Sequence, residues 1–381
     1  MAGGAASAAG LDESGARDRD PGLERIRRRV AADLAPLADR IDREGFYPEA
    51  VFRGLGDDGA FAQHLAAHAP GEDGPSLWRS IEATGTIGAE CMSTAFCAWC
   101  QNACGWYLEH SDNAALRERL QGGIASASLL GGTGLSNPMK ALSGIEAFRL
   151  KARRAEGGYV LSGVLPWVSN LGPGHWFGTI AEDADDPSHK LMFLAQCGQE
   201  GVGILQNAHF VALEGIGTYS VGFRRAFIPD EQLLADPLGD MPKRIRPGFV
   251  LLQTGMGFGV IEASIALMRQ ADRQQRGTNL HLAERPDDFA ERVAGLAETV
   301  RALAATPTES APDYLRAVLA ARLEVSELTL AATQAAVVHW GARGYLEGSA
   351  VHRRQREGVF VAIITPSVRH LRQELAAMAR N

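Results

Sequence analysis

The apolar period of this chain changes twice, and those two changes constrain the fold more than any single motif. Over 23–44 apolar residues fall at Ile26, Val30, Leu34, Leu37 and Ile41, the spacing of an amphipathic helix. Further helical patterns cover 47–55, 75–84, 90–109 and 113–120, the last capped by Ser111 or Asp112 and stopped by Gly122-Gly123. From Ile124 the pattern shortens to strand-like segments at 125–130, 148–152, 159–167, 176–181, 191–195 and 220–228, with Gly, Asp or Pro turns between them. Beyond Pro247 helix returns at 249–275, 287–304, 312–340 and 366–378, with Pro312 at a helix start, where its missing N–H is harmless. The expectation is an α+β chain in three parts. An all-helical unit spans 21–123, a small antiparallel β-barrel or sandwich spans 124–240, and a four-helix bundle spans 241–381. Residues 1–20, small and polar without an apolar core, are expected to form a disordered tail.

A formal net charge of −7, with no aromatic-basic stripe, excludes a nucleic-acid partner. No apolar run of membrane-spanning length is expected, so no membrane partner is implied. Without a leader segment the chain is expected in the cytoplasm. Cys97, Cys100 and Cys104 fall on one helical face without a His or acidic neighbour on it, which predicts buried reduced thiols rather than metal ligands. The glycines at 131–134 and 255–259 lack the strand–turn–helix context and later acid of a dinucleotide loop. Those at 255–259 lie in an apolar helical pattern and predict close helix packing.

The stretch 157–172, GGYVLSGVLPWVSNLG, carries the first hint of chemistry. Tyr159 and Leu161 alternate as a strand does, with Ser162-Gly163 as a turn. Trp167 and Ser169, one residue apart, offer a wall and a donor to a flat aromatic ligand. A core tryptophan beside a loop serine is the plainer alternative, and the stretch alone favours it.

Three short motifs in order change that balance. Ser136-Asn137-Pro138 resembles the Thr-Glu-Pro flavin segment of the acyl-CoA dehydrogenase family, and Trp167-Val168-Ser169 resembles its Trp-Ile-Thr/Ser. The run at 341–345, Gly-Ala-Arg-Gly-Tyr, is similar to its Gly-Gly-x-Gly-Tyr turn. The resemblance covers 127–380. It implies helix, then sheet, then bundle, with FAD between the last two and its adenosine end reaching a neighbouring subunit of a homodimer or homotetramer. It places Ser136 near the pyrimidine end of the flavin, Trp167 against the ring, Ser169 toward N5, and Ser143 in the following loop. Arg276 falls where the family contacts the pyrophosphate, and Gly341 and Gly344 fall in the turn. Asn279-Leu280 replaces Phe-Gly, Val338 replaces Gln and Ala342 replaces the second Gly, which implies altered adenosine binding.

The family's base for α-proton removal is a Glu twenty residues after the final Tyr of that turn. Counting from Tyr345 reaches Thr365. The alternative family position, on the first bundle helix, falls within 241–261, which holds no Asp or Glu. Glu262 and Glu357 lie near these positions but read as structural. Three functions remain open. The chain is a flavin-dependent monooxygenase with Ser169 and His370 as donors, a dehydrogenase with its base elsewhere, or a non-catalytic binder. The substrate is a small molecule or an acyl thioester. The cluster His352, Arg353, Arg354 and Arg356 reads as a solvated face or an intersubunit contact.

Overall fold

The computed structural model describes residues 20–71, 74–207, 209–275 and 277–380. Most of the expected tail, and Arg276, lie outside the described residues. Asp20 caps helix α1 (Pro21–Arg29), its carboxylate accepting from the N–H of Gly22 at 2.8 Å. The single helix expected over 23–44 is segmented. A π-helical turn (Val30–Leu34) and a 3-10 turn (Ala35–Leu37) precede α2 (Ala38–Glu44), because Pro36 has no N–H to continue the ladder. Helices α3 (Glu49–Asp57), α4 (Leu77–Glu90), α5 (Met92–Glu109) and α6 (Ala114–Ala125) complete the first third. Asn113, rather than Ser111 or Asp112, caps α6. Helix α5 is buried from Met92 to Leu108, as an element without a polar face must be. Its cysteines are therefore buried and free.

The middle unit is one eight-stranded sheet: β1 (Gly131–Thr133), β2 (Leu150–Ala155), β3 (Gly158–Val168), β4 (Trp176–Asp183), β5 (Lys190–Gln196), β6 (Val202–Asn207), β7 (Tyr219–Pro229) and β8 (Leu233–Ala235). The order is β6-β7-β3-β2-β4-β5-β8, with β1 paired to β4. Pairing is antiparallel except for β4 with β1 and with β2. The rings of Phe177 and Phe193, on β4 and β5, meet that of Phe223 on the distant β7 edge-on, at 6.1 Å. The sheet thus curls around its own core. Two corrections follow. The expected strand over 125–130 is the end of α6 and a loop, and Ser162-Gly163 is not a turn. Strand β3 runs through it with a register shift, and Gly163, at φ 138°, lies so close to Arg149 that a Cβ would meet its carbonyl at 2.1 Å.

The last unit contains α8 (Met241–Leu252), α9 (Thr254–Gln274), α10 (Pro286–Ala304), α11 (Pro312–Trp340), α12 (Ala350–Ile363) and α13 (Val368–Met378), two helices more than the four expected. By length and composition Met241–Gln274 could cross a membrane, contrary to expectation, yet 78% of its most apolar window is buried within the fold. It is a core element. Glycines make its contact with α4 possible: a Cβ at Gly259 would stand 2.4 Å from Gly85 O, and one at Gly255 2.5 Å from Ile81 O.

The basic cluster on α12 is not a solvated face. Arg353 and Arg354 are buried and donate to the terminal carbonyls of α4, Arg354 to Gly88 O at 3.0 Å and Arg353 to Glu90 O at 3.0 Å. Glu357, also buried, pairs with Arg354 at 2.8 Å. Two cations at the C-terminal end of α4 satisfy its orphan carbonyls and its dipole. Arg356 pairs with Asp42.

Candidate active site

The middle unit contributes a rigid, uncharged wall. Ser169 follows β3, and its N–H and carbonyl exchange hydrogen bonds with those of Thr133 at 3.1 and 3.2 Å. Gly132 permits this approach, since a Cβ there would meet Ser169 O at 2.2 Å. Asn170 locks the corner by donating to Gly131 O and accepting from the Tyr47 hydroxyl. The Ser169 hydroxyl accepts from Thr218 Oγ1 at 2.9 Å, which leaves its own hydrogen for a further acceptor. Trp167 remains 43% exposed, its ring centred 6.0 Å from that of Phe210. An indole left half bare beside a hydroxyl donor is a surface suited to a flat aromatic group.

The bundle contributes the turn between α12 and α13. Thr365 lies there with its hydroxyl 3.2 Å from that of Ser136, at the start of the short helix α7 (Ser136–Leu142). Helix α12 keeps Val359 and Ile363 exposed on the face that also carries Arg356, whose guanidinium donates to Val211 O at 2.9 Å. Val211 belongs to the loop that brings Phe210 to Trp167. Arg356 therefore links the aliphatic face of α12 to the loop that holds Phe210 against Trp167, and the candidate cleft is the space that these groups and the Ser136–Thr365 pair would bound.

The carboxylates near this cleft are committed elsewhere. Glu357 is held by Arg354. Glu374, on α13, accepts from Ser143 at 2.8 Å and pairs with Arg246 on α8 and with His370 at 3.4 Å. Burial works to raise the Glu374 carboxyl, but His370, Arg246 and Ser143 outweigh it and hold it at about 2. Two turns of α7, about 10 Å, separate this cluster from Ser136. Ser143 and His370 thus meet each other's partner rather than Ser169. His370 is 4% exposed, and its charged partner is the Glu374 carboxylate. Glu262 is exposed on α9.

The predicted far end of the cofactor site is a separate place. Gly341 ends α11 with φ 59°, and Gly344 follows against Trp340. Gly341 lies some 28 Å along the α11 axis from Arg322, the helix residue behind Thr365. Asn279 donates to Asp272 at 2.9 Å and to His339 O at 3.0 Å, and His339 itself pairs with Asp272. That network is closed on itself. Thr218, Gln253, Arg322, Arg246 and Glu374 were not foreseen; each meets its partner from a distant part of the sequence, with no local motif to mark it.

Two helical units flank a curled sheet, the sheet unit carrying the half-exposed Trp167 and the bundle the Thr365 turn. Residues 22–128 match the family model described as acyl-CoA dehydrogenase, N-terminal domain. Benzylmalonyl-CoA dehydrogenase of Aromatoleum aromaticum is 26% identical over 250 residues, 64% of this chain and 66% of that protein, just under two thirds of its length. Among solved structures, butyryl-CoA dehydrogenase from Megasphaera elsdenii superposes with a TM-score of 0.85 at 17% identity, covering 97% of this chain and all of that one. Nitrososynthase from Micromonospora carbonacea var. africana gives 0.77 at 19%, covering 94% and 97%. The first helical unit thus matches the acyl-CoA dehydrogenase family model, and the chain as a whole has the acyl-CoA dehydrogenase fold.

Proposed function

We propose that this chain is an FAD-dependent oxidoreductase that works without a carboxylate base, as a monooxygenase of a small molecule or an acyl thioester. FAD is the cofactor of the family, and when bound it supplies two-electron transfer and, once reduced, reaction with O2. Trp167 packs against the ring and Ser169 donates its unassigned hydrogen to it. The hydroxyls of Ser136 and Thr365 orient a substrate carbonyl or amine that inserts between them. The overall reaction takes O2, two electrons and two protons, places one oxygen atom on the substrate and releases the other as water. The electrons come from an external NAD(P)H-dependent reductase.

The single observation that carries this reading is the pairing of Thr365 with Ser136 at the family's base position. An alcohol does not remove a thioester α-proton effectively near neutrality. Glu374, held at about 2, is too weak a base to replace it. Sharing the fold with a nitrososynthase also supports chemistry other than dehydrogenation. The test is a purified, yellow protein given reductase, NAD(P)H and isotopically labelled O2, with product carrying one labelled atom. Reduction of the bound flavin by an acyl-CoA without oxygen, at turnover rates, would overturn the reading in favour of a dehydrogenase with a base elsewhere. We further propose that a second copy completes the adenosine side, as a homodimer or homotetramer, which light scattering measures.

A further inference from the structure

Arg322 heads the fully buried side chains among the described residues when ranked by volume, with 0% exposure near the middle of α11. It donates to Gln253 Oε1 at 2.9 Å, to Ser326 Oγ, and to Val361 O at 2.8 Å. None of these acceptors is charged. Burial draws the guanidinium down to about 10, which leaves it protonated at neutral pH. A buried charge facing only neutral partners is costly, and a packed apolar side chain would serve the core better. Stability of the bundle therefore does not account for Arg322.

Its contacts have a direction. Gln253 accepts from Arg322 with its amide oxygen and donates with its amide nitrogen to Thr365 O at 2.8 Å. The Gln253 dipole thus carries its positive end toward the Thr365 turn, while Arg322 itself grips the last turn of α12 through Val361 O. One step beyond Thr365 is Ser136, whose hydroxyl lies 3.2 Å from that of Thr365. A charge sealed from solvent is poorly screened and acts over this distance.

We propose that Arg322 is a positioning residue that fixes the Thr365 turn through Gln253 and lends positive potential to the cleft, favouring negative charge formed there on reduction. The inference rests on the FAD reading above. It deepens that reading by naming what tunes the bound cofactor.

The experiment measures the two-electron midpoint potential of the FAD-bound protein and the melting temperature of the FAD-free protein, for wild type, Arg322→Lys, Arg322→Met and Gln253→Met. In Arg322→Met the preference for the oxidised form rises about tenfold, a fall of about 30 mV. Arg322→Lys, which keeps the charge, restores most of that fall. Gln253→Met, which keeps Arg322 but breaks the relay, gives a smaller fall of about threefold. A purely structural role would lower the melting temperature and leave the potential unmoved, and that result overturns the proposal. If Arg322→Met does not fold, an unchanged potential in Gln253→Met overturns it equally. A colourless wild-type protein sinks the FAD reading and this inference together, whereas a yellow one whose potential ignores these substitutions sinks this inference alone.

Discussion

The middle-unit wall of the cleft is built from an indole and hydroxyls, whereas the bundle behind the other wall holds charges that are already spoken for. On the first, Trp167, Ser169, Thr218 and Ser136 carry no formal charge, and their geometry is set by backbone pairing and one close glycine contact. Behind the second, Arg354 with Glu357, Arg246 with Glu374, and Arg322 with Gln253 are buried or half-buried and bonded. Holding a ring and choosing its chemistry are therefore separate tasks. Shape and neutral donors suffice for the first. Dehydrogenation needs a free titratable group in addition, and the carboxylates Glu357 and Glu374 are both committed.

Breaking the contrast outright means placing an acid on the bundle wall. Thr365→Glu puts a carboxylate opposite Ser136, with Arg322 behind it to keep it ionised. The expected outcome is flavin reduction by acyl-CoA in the absence of oxygen, faster than wild type by about 10²–10⁴-fold, the range a positioned general base provides. Stopped-flow absorbance under nitrogen measures it. A variant that binds FAD and acyl-CoA yet reduces no faster would show that more than the base has diverged.

The bundle wall's charges can be tested through stability. Glu357→Gln leaves Arg353 and Arg354 buried without their anion, and the loss expected is about 3–5 kcal/mol. Denaturant titration at pH 7 reads it. A loss under 1 kcal/mol would mean that the α4 carbonyls alone compensate both guanidinium groups.

Acid separates the helical first third from the bundle. Burial lowers His64 to about 3 and His110 to about 4, so both are neutral in the folded chain. Their stabilising contribution is complete above the unfolded value of 6.5 and drains as pH falls toward those folded values. Glu374 is held below its unfolded value of 4.5, so its contribution is intact above 4.5 and is lost only on approach to about 2. Between pH 6.5 and 4.5, His64 alone should withdraw roughly 2–3 kcal/mol. His64→Gln should flatten the stability profile in that window, and Glu374→Gln should alter it only below. Coincident windows for the two variants would contradict the assignment.

How far these walls were legible follows from how they are assembled. Trp167, Ser169 and Ser136 sit in short local motifs, so their letters and order were enough to single them out. Gln253 meets Thr365 across 112 residues and Ser143 meets Glu374 across 231, and no local spacing announces such meetings. Helix α12 was missed for a related reason. His352–Glu357 is dense in charge, and an arginine that caps a neighbouring helix has the same letter as one in water. Gly163 read as a turn because a glycine that admits a neighbouring backbone looks like one that reverses the chain. Helix α8 was missed over its first turns because Pro247 read as a boundary, although it lies within the helix.

The smallest effect sharpens the comparison most, since it isolates one neutral donor. Ser169→Ala removes a hydroxyl that accepts from Thr218 and, in the proposed function, donates to the ring. A neutral hydrogen bond contributes about 1 kcal/mol, so FAD should bind about five- to tenfold more weakly, as isothermal calorimetry would record. Thr218→Val removes the same Thr218–Ser169 bond without touching the donated hydrogen, and it should weaken FAD less. If the two substitutions weaken FAD equally, Ser169 acts by holding the corner beside Thr133 in place, and the donor on the neutral wall must be sought in the backbone.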